Sequence, residues 1–195
     1  MLSYNESLKI LKETNALMEG HFILSSGLHS EKYVQCAKLL SYPDKADKIC
    51  KSLADKIVQT IKKIDIILSP AVGGIVIGYE IGKLLQKETI FAERLSGNFV
   101  LRRGFSIPEN SNVLIVEDVI TTGKSSLECS KLVSLNKAHL QGFACIIDRS
   151  STKCLIKQKI VSQVKINIET FDKNNIPEHL KKLPAVKPGS RDLNK

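Results

Sequence analysis

The chain predicts an α/β domain whose mainly parallel sheet is covered by helices, and three observations predict it. Apolar runs such as Val113 to Val116 are continuous rather than alternating, which suits strands buried on both faces. From residue 64 onward β-rich runs alternate with helical stretches, the order that builds strand–helix–strand units. At 195 residues, 43% of them apolar, the chain is of a size to form one domain around one sizeable core.

The elements follow in order. SYNESLKILKETNALMEG sets Ser3 and Glu6 in capping-box relation, carries Leu8, Leu11 and Leu17, and ends on Gly20 as a stop, so it predicts a helix. In HFILSSGLHSEKYVQCAKLL two strand-like pieces flank the turn residues Ser25 to Gly27. PDKADKICKSLADKIVQTI opens on Pro43 and repeats Ile49, Leu53, Ile57 and Ile61 every four residues, an amphipathic helix. IDIILSP (64–70), ETIFAE (88–93), NVLIVED (112–118), GFACIID (142–148) and VSQVKINI (161–168) predict strands, with helices over 74–86 and 122–136. Residues 94–111 hold Gly97, Gly104, Pro108 and the arginines Arg94, Arg102 and Arg103, a basic loop or hairpin beside the sheet's working edge. After a short helical turn, Pro184, Pro188 and Gly189 predict an irregular tail.

Composition excludes several classes. No apolar run approaches the ~18 residues of a membrane span, and the first residues carry acids and lack the apolar stretch of a secretory leader, so the expected compartment is the cytoplasm. The five cysteines are widely spaced with no C-x-x-C, which predicts buried reduced thiols. His21, His29, His139 and His179 are scattered and read as surface or loop residues. The net charge of +9 is spread along the chain, with only 5% aromatic residues and no Trp, so an anionic small substrate, or mere lysine-rich composition, explains it as well as nucleic acid does.

The stretch LIVEDVITTGKS (114–125) carries the chemistry. Its Gly-Lys-Ser ending looks like a triphosphate-binding P-loop, but the first glycine of G-x-x-x-x-G-K-[ST] would fall at Asp118. A carboxylate there repels a triphosphate, and its Cβ obstructs the close backbone approach. Read instead as a strand ending in two acids, the turn from Val119 to Ser125 opens a helix whose N–H groups, with the hydroxyls of Thr121, Thr122 and Ser125, can hold one phosphate. Glu117 and Asp118, acceptors when ionised, suit the hydroxyls of a neighbouring sugar, so a ribose 5-phosphate fits. Because adjacent strand residues point to opposite faces, both acids reach one sugar only if the strand bends or ends there. An acid pair that merely caps the helix remains the alternative.

VLIVEDVITTGKS closely resembles the phosphoribosyl-pyrophosphate (PRPP) signature of the type I phosphoribosyltransferases. That resemblance implies a central parallel sheet flanked by helices, a small hood of about residues 1–40, a core of about 41–170 and a single domain spanning 1–195. It makes Glu117 and Asp118 the ribose acids, catalytic together with Arg102 and Arg103, and assigns PRPP binding to them and to Val119, Ile120, Thr121, Thr122, Gly123, Lys124, Ser125 and Arg94, with the phosphate loop from Thr121 to Ser125. GHFILSSGLHSEKYVQCAKLL, SPAVGGIVIGYEIGKLL, FAERLSGNFVLRRGF, CIIDRS and the tail's KPGSR are similar to the orotate-specific members. In them Ala71, Val72, Gly73 and Gly74 form the diphosphate loop, and Thr121 and Arg149 contact orotate; for Arg149 the bland reading is a solvent-facing loop residue.

The resemblance further implies transfer of the phosphoribosyl group from PRPP to orotate in pyrimidine (UMP) biosynthesis. Mg²⁺ is the cofactor, held by PRPP and water rather than by firm protein ligands. It also implies a homodimer whose basic loop (Arg94, Arg102, Arg103) reaches the neighbouring site, with neither nucleic acid nor membrane as partner. Another base-specific transferase and a PRPP-sensing regulator are the competing readings. The chain departs from the common pattern at Ser25 and Gly73, where lysines are usual, in its arginine-only loop, and at Lys124, which replaces a small residue and either touches the phosphate or points to solvent.

Overall fold

The computed structural model describes residues 1–152 and 154–188. Helix α1 (Tyr4–Glu13) precedes a hairpin of β1 (Leu17–Ile23) and β2 (His29–Val34); α2 (Cys36–Leu40) and α3 (Pro43–Thr60) then lead into β3 (Ile66–Pro70), α4 (Gly73–Leu85), β4 (Glu88–Leu95) and β5 (Asn98–Leu101). They are followed by β6 (Asn112–Ile120), α5 (Lys124–Leu135), β7 (His139–Asp148), β8 (Ile160–Lys165), β9 (Thr170–Phe171), α6 (Glu178–Lys181) and β10 (Ala185–Val186).

The large sheet has the order β5-β4-β3-β6-β7-β8, parallel throughout except for the antiparallel edge hairpin β4–β5. The continuous apolar run of β6 explains its central place. Leu114 and Val116 pack with Ile49, Leu53 and Ile57 of α3 and Ile77 and Ile81 of α4, whereas Val113 and Ile115 pack with Cys129 and Val133 of α5 on the other face. Each fully buried aliphatic side chain contributes ~1.5–3 kcal/mol, so slipping β6 by one residue would expose both stripes at once to the wrong neighbours.

The basic stretch after β4 turns through Ser96 (φ 50°) and Gly97 (φ 86°), two successive positive angles that match a tight hairpin turn. A small second sheet, order β10-β1-β2-β9, is centred on the N-terminal hairpin, and the C-terminal segment adds a strand to each side of it.

Two expectations are corrected. The capping box of α1 forms, with Ser3 N donating to Glu6 Oε2 at 2.8 Å, but the helix stops at Glu13 and not at Gly20. Thr14 Oγ1 turns back onto the carbonyls of Ile10 and Leu11, Asn15 takes φ 54°, and Leu17 and Gly20 belong to β1. His21 is a buried strand residue, 6% exposed, with Nε2 2.6 Å from His29 Nδ1. All five cysteines are free and buried, as expected. Of the KPGSR stretch, residues 189–191 lie outside the described residues.

Candidate active site

The acid pair lies within the last turns of β6, which stays paired with β7 through Ile120. With the pairing kept in register from Leu114 to Ile120, Glu117 and Asp118 take opposite faces. Glu117 points toward α5, where the fully buried Ser126 donates its hydroxyl to Oε2. Asp118 points toward the start of α4, against Gly73. Burial pushes the Glu117 carboxyl up to about 7, with Asp118 adding to the rise and Ser126 and Arg94 opposing it. Asp118 is raised by burial too, moderated by the backbone N–H groups of Val119 and of Asp118 itself.

Beyond β6 the chain turns at Gly123, whose φ of 74° suits glycine and whose missing Cβ leaves room for Ile156; a Cβ there would stand 2.6 Å from Ile156 Cγ1. Gly123 at the N-cap offers α5 no side-chain cap, and Thr122 Oγ1 accepts from Lys124 N only at 3.4 Å, the long limit of a hydrogen bond, so the N–H groups of this turn are available to a ligand anion. Glu117, Val119, Thr121, Thr122, Gly123, Lys124 and Ser125 line one hollow of about 150 Å³. Lys124 is 74% exposed, with Nζ 4.0 Å from Glu128 Oε1. Ile120 is buried, its carbonyl accepting from Arg149 N at 2.8 Å, which joins the ends of β6 and β7.

The loop Ala71 to Gly74 follows β3, the next strand on the other side. Val72 is 82% exposed, the Ala71–Val72 peptide is cis, and Gly74 packs against Pro70, Ser69 and the Val116 carbonyl, each 3.2 Å from a Cβ placed on it. Glycines at 73 and 74 thus let the helix start approach the end of β6 closely. The Ser69 hydroxyl, at the end of β3, is buried with no hydrogen-bond partner among the described residues.

The arginines divide. Arg94 stands on the Glu117 side: it donates to Gly97 O at 2.6 Å and to Glu128 Oε2 at 2.5 Å, and lies over the Phe99 ring at 4.1 Å. Arg102 and Arg103 are not brought to the acids; both are engaged by Glu93, Arg102 Nη1 at 3.0 Å and Arg103 Nε at 2.5 Å. Arg149, at the end of β7, is half-buried, and its Nε has no hydrogen-bond partner among the described residues. Burial lowers that guanidinium below its ordinary range, while Tyr33 of β2 opposes the shift. Thr121 is exposed at the mouth of the hollow.

A turn of open N–H groups, a carboxylate beside it, a close-approach glycine loop and a guanidinium with an unused donor together can hold a phosphorylated sugar, a second anionic group and a planar acid. Sequence reasoning missed Ser126, Glu128 and Tyr33. Ser126 had a faint signal, a small polar residue on the buried Ser126–Cys129–Val133 stripe of α5. Among the described residues no three His, Cys, Asp or Glu side chains are grouped to hold a metal ion.

Residues 42–182 match the family model of the phosphoribosyl transferase domain. Orotate phosphoribosyltransferase of Parvibaculum lavamentivorans is 44% identical over 189 residues, covering 95% of this chain and 97% of that protein. The enzyme of the same name from Caldicellulosiruptor saccharolyticus is 44% identical over 186 residues, 95% of this chain and 96% of that one. The crystal structure of orotate phosphoribosyltransferase from Aeropyrum pernix superposes with a TM-score of 0.70 at 21% identity, covering 81% of this chain and 92% of that chain, which speaks to the fold. With the acid pair, the phosphate-sized turn and the glycine loop arrayed at one sheet edge, and with relatives matched nearly end to end, the chain belongs to the phosphoribosyltransferase family, on its orotate phosphoribosyltransferase branch.

Proposed function

We propose that the chain transfers the 5-phosphoribosyl group of PRPP to orotate, giving orotidine 5′-phosphate and diphosphate. The observation that carries this reading is the convergence of Glu117 and residues Thr121 to Ser125 on one hollow, with Arg149 at the end of the adjoining strand. The 5-phosphate takes the N–H groups and hydroxyls of that turn, where charge-assisted hydrogen bonds contribute ~1.5–3 kcal/mol each and the helix dipole ~0.3–1. Since the acids face opposite sides of β6, the ribose lies across the strand end, Glu117 accepting from it on the α5 side and Asp118 on the α4 side.

The diphosphate then extends over Ala71–Gly74, and orotate's carboxylate meets the Arg149 guanidinium, with Thr121 adding a hydroxyl. The C1–oxygen bond breaks with its electron pair leaving on diphosphate, and orotate, reacting as the dianion after its N1 proton has gone to solvent, supplies the new pair from N1 at the opposite face of an oxocarbenium-like centre. No protein nucleophile is required: the chain positions, excludes water and stabilises charge. Arg94 already stands beside the site, while Arg102 and Arg103 act after release from Glu93, from the basic hairpin of the neighbouring protomer in a homodimer.

Mg²⁺, a hard ion that keeps several waters and binds substrate phosphates, would be held here mainly by PRPP oxygens and water, the two acids meeting the ribose hydroxyls rather than the ion. When bound, the ion neutralises diphosphate charge. Among the described residues no helix is long and apolar enough to cross a membrane, and we assign the enzyme to the cytoplasm. Parallel assays with orotate, uracil, adenine and hypoxanthine test the reading: turnover with orotate supports it, and turnover confined to a purine or to uracil overturns it.

A further inference from the structure

We propose that Ser126 is a positioning residue for the transfer, fixing the Glu117 carboxylate so that its second oxygen is presented to the hollow at the start of α5. The proposal rests on the ribose role given above to Glu117.

The geometry is specific. Ser126 is 0% exposed, on the first turn of α5, and its Oγ donates to Glu117 Oε2 across the gap between helix and strand. A serine hydroxyl buried at that depth requires a partner, and Glu117 is the one it has. With one oxygen tied to Ser126, the carboxylate's remaining lone pairs face the space it shares with Thr121 to Ser125. Without that tie a glutamate with three rotatable bonds, at the rim of a pocket, loses the hydrogen bond that fixes its rotamer.

The surroundings make the bond matter for charge as well as for position. Facing Glu117 are Ser126 and Cys129 of α5, Cys145 of β7, Asp118 beside it on β6, and Arg94 from β4. Both thiols are pushed up by burial and stay neutral, and Asp118 repels, so Ser126 and Arg94 are the two groups that favour the ionised carboxylate. Arg94 is itself shared with Glu128. The carboxyl nevertheless titrates at about 7, in the range where ligand binding is sensitive to its proton. A protonated Glu117 gains an O–H donor, keeps only part of its acceptor capacity and loses its Coulomb attraction for Arg94.

The test measures PRPP KM, orotate KM and kcat against pH, from about 6 to 9, for the parent enzyme, Ser126→Ala, Ser126→Cys and Ser126→Thr. In the parent, PRPP KM should fall as pH rises through the Glu117 titration. Ser126→Ala and the near-isosteric Ser126→Cys, a far weaker donor, should raise PRPP KM about tenfold near neutrality and move the midpoint upward by about one pH unit. Ser126→Thr, which keeps the hydroxyl, should restore the parent profile, and orotate KM should stay within about twofold throughout. The cysteine variant carries the test if alanine weakens the fold. An unmoved midpoint and PRPP KM in both Ala and Cys variants would overturn the role of Ser126. Glu117→Gln separates the two levels: if it raises PRPP KM while the Ser126 variants change nothing, only the positioning role is wrong, and if it leaves PRPP KM unchanged, the ribose role of Glu117 fails together with it.

Discussion

The backbone of Gly73 and the carboxylate of Asp118 are packed against each other: a Cβ at Gly73 would stand 3.0 Å from Asp118 Oδ1 and 3.1 Å from Oδ2. The glycine loop after β3 and the acid at the end of β6 are therefore one unit, and a side chain at position 73 must displace the carboxylate. Gly73→Ala is expected to raise PRPP KM about tenfold, equivalent to ~1.4 kcal/mol. The melting temperature should fall by less than about 4 °C, because Gly73 is exposed and alanine is a better helix residue than glycine. Initial-rate kinetics with a thermal melt check both, and an unchanged PRPP KM counts against the coupling.

Glu117 carries a stability cost whose sign follows from its titration. Its carboxyl is raised from the ordinary 4.5 to about 7, so the folded state prefers the protonated form. Its favourable contribution is complete below about 4.5, shrinks as pH climbs, and is gone above about 7, a difference on the order of 3 kcal/mol. Glu117→Gln, uncharged at every pH, should melt above the parent at about pH 8, with the gap closing near pH 4.5. Identical melting at pH 8 would show that the ionised carboxylate is not under strain.

Arg149 offers a sharper assignment of the base. Its Nε is buried with no hydrogen-bond partner among the described residues and its guanidinium is lowered by burial, so the folded chain tolerates a donor that a ligand carboxylate can satisfy. Arg149→Ala is expected to raise orotate KM roughly 10- to 150-fold, the loss of ~1.5–3 kcal/mol, with PRPP KM within about twofold. Arg149→Lys should recover only part of it, since an ammonium cannot grip a carboxylate with two parallel bonds. A uniform fall in activity with both KM values intact would assign Arg149 a structural role.

Lys124 is the residue that most departs from a small-residue loop, and its surroundings decide between two readings left open by its position. It is 74% exposed and 4.0 Å from Glu128, a partner that is itself bridged to Arg94. Exposed pairs of this kind contribute ~0–1 kcal/mol. Lys124→Ala should change PRPP KM by less than about threefold, and a rise beyond tenfold would mean that the ammonium grips the phosphate.

How much of this was legible beforehand follows from the kind of interaction involved. β3, β6 and β7 could be read because their apolar runs are continuous, and α1 began where Ser3 and Glu6 said it would. The end of α1 could not be read, because Leu17 fits a helical spacing as well as it fits β1, and the stop comes from Asn15 in a left-handed conformation. Strands β9 and β10 have two residues each, too few for any periodicity, and exist through their register with β2 and β1. Within the site, Glu117, Asp118 and the turn to Ser125 form one contiguous stretch and were visible as such. The Ser126–Glu117 bond, the Arg94–Glu128 bridge and the grip of Glu93 on Arg102 and Arg103 were not, since each depends on which elements the fold lays side by side.

The central claim is that PRPP is held across the end of β6 by its two acids. Initial-rate kinetics of the parent and of Asp118→Asn, with PRPP and orotate varied in turn at saturating Mg²⁺, test it most directly. The account predicts PRPP KM raised about tenfold or more in Asp118→Asn with orotate KM unchanged. Unchanged PRPP kinetics would contradict it.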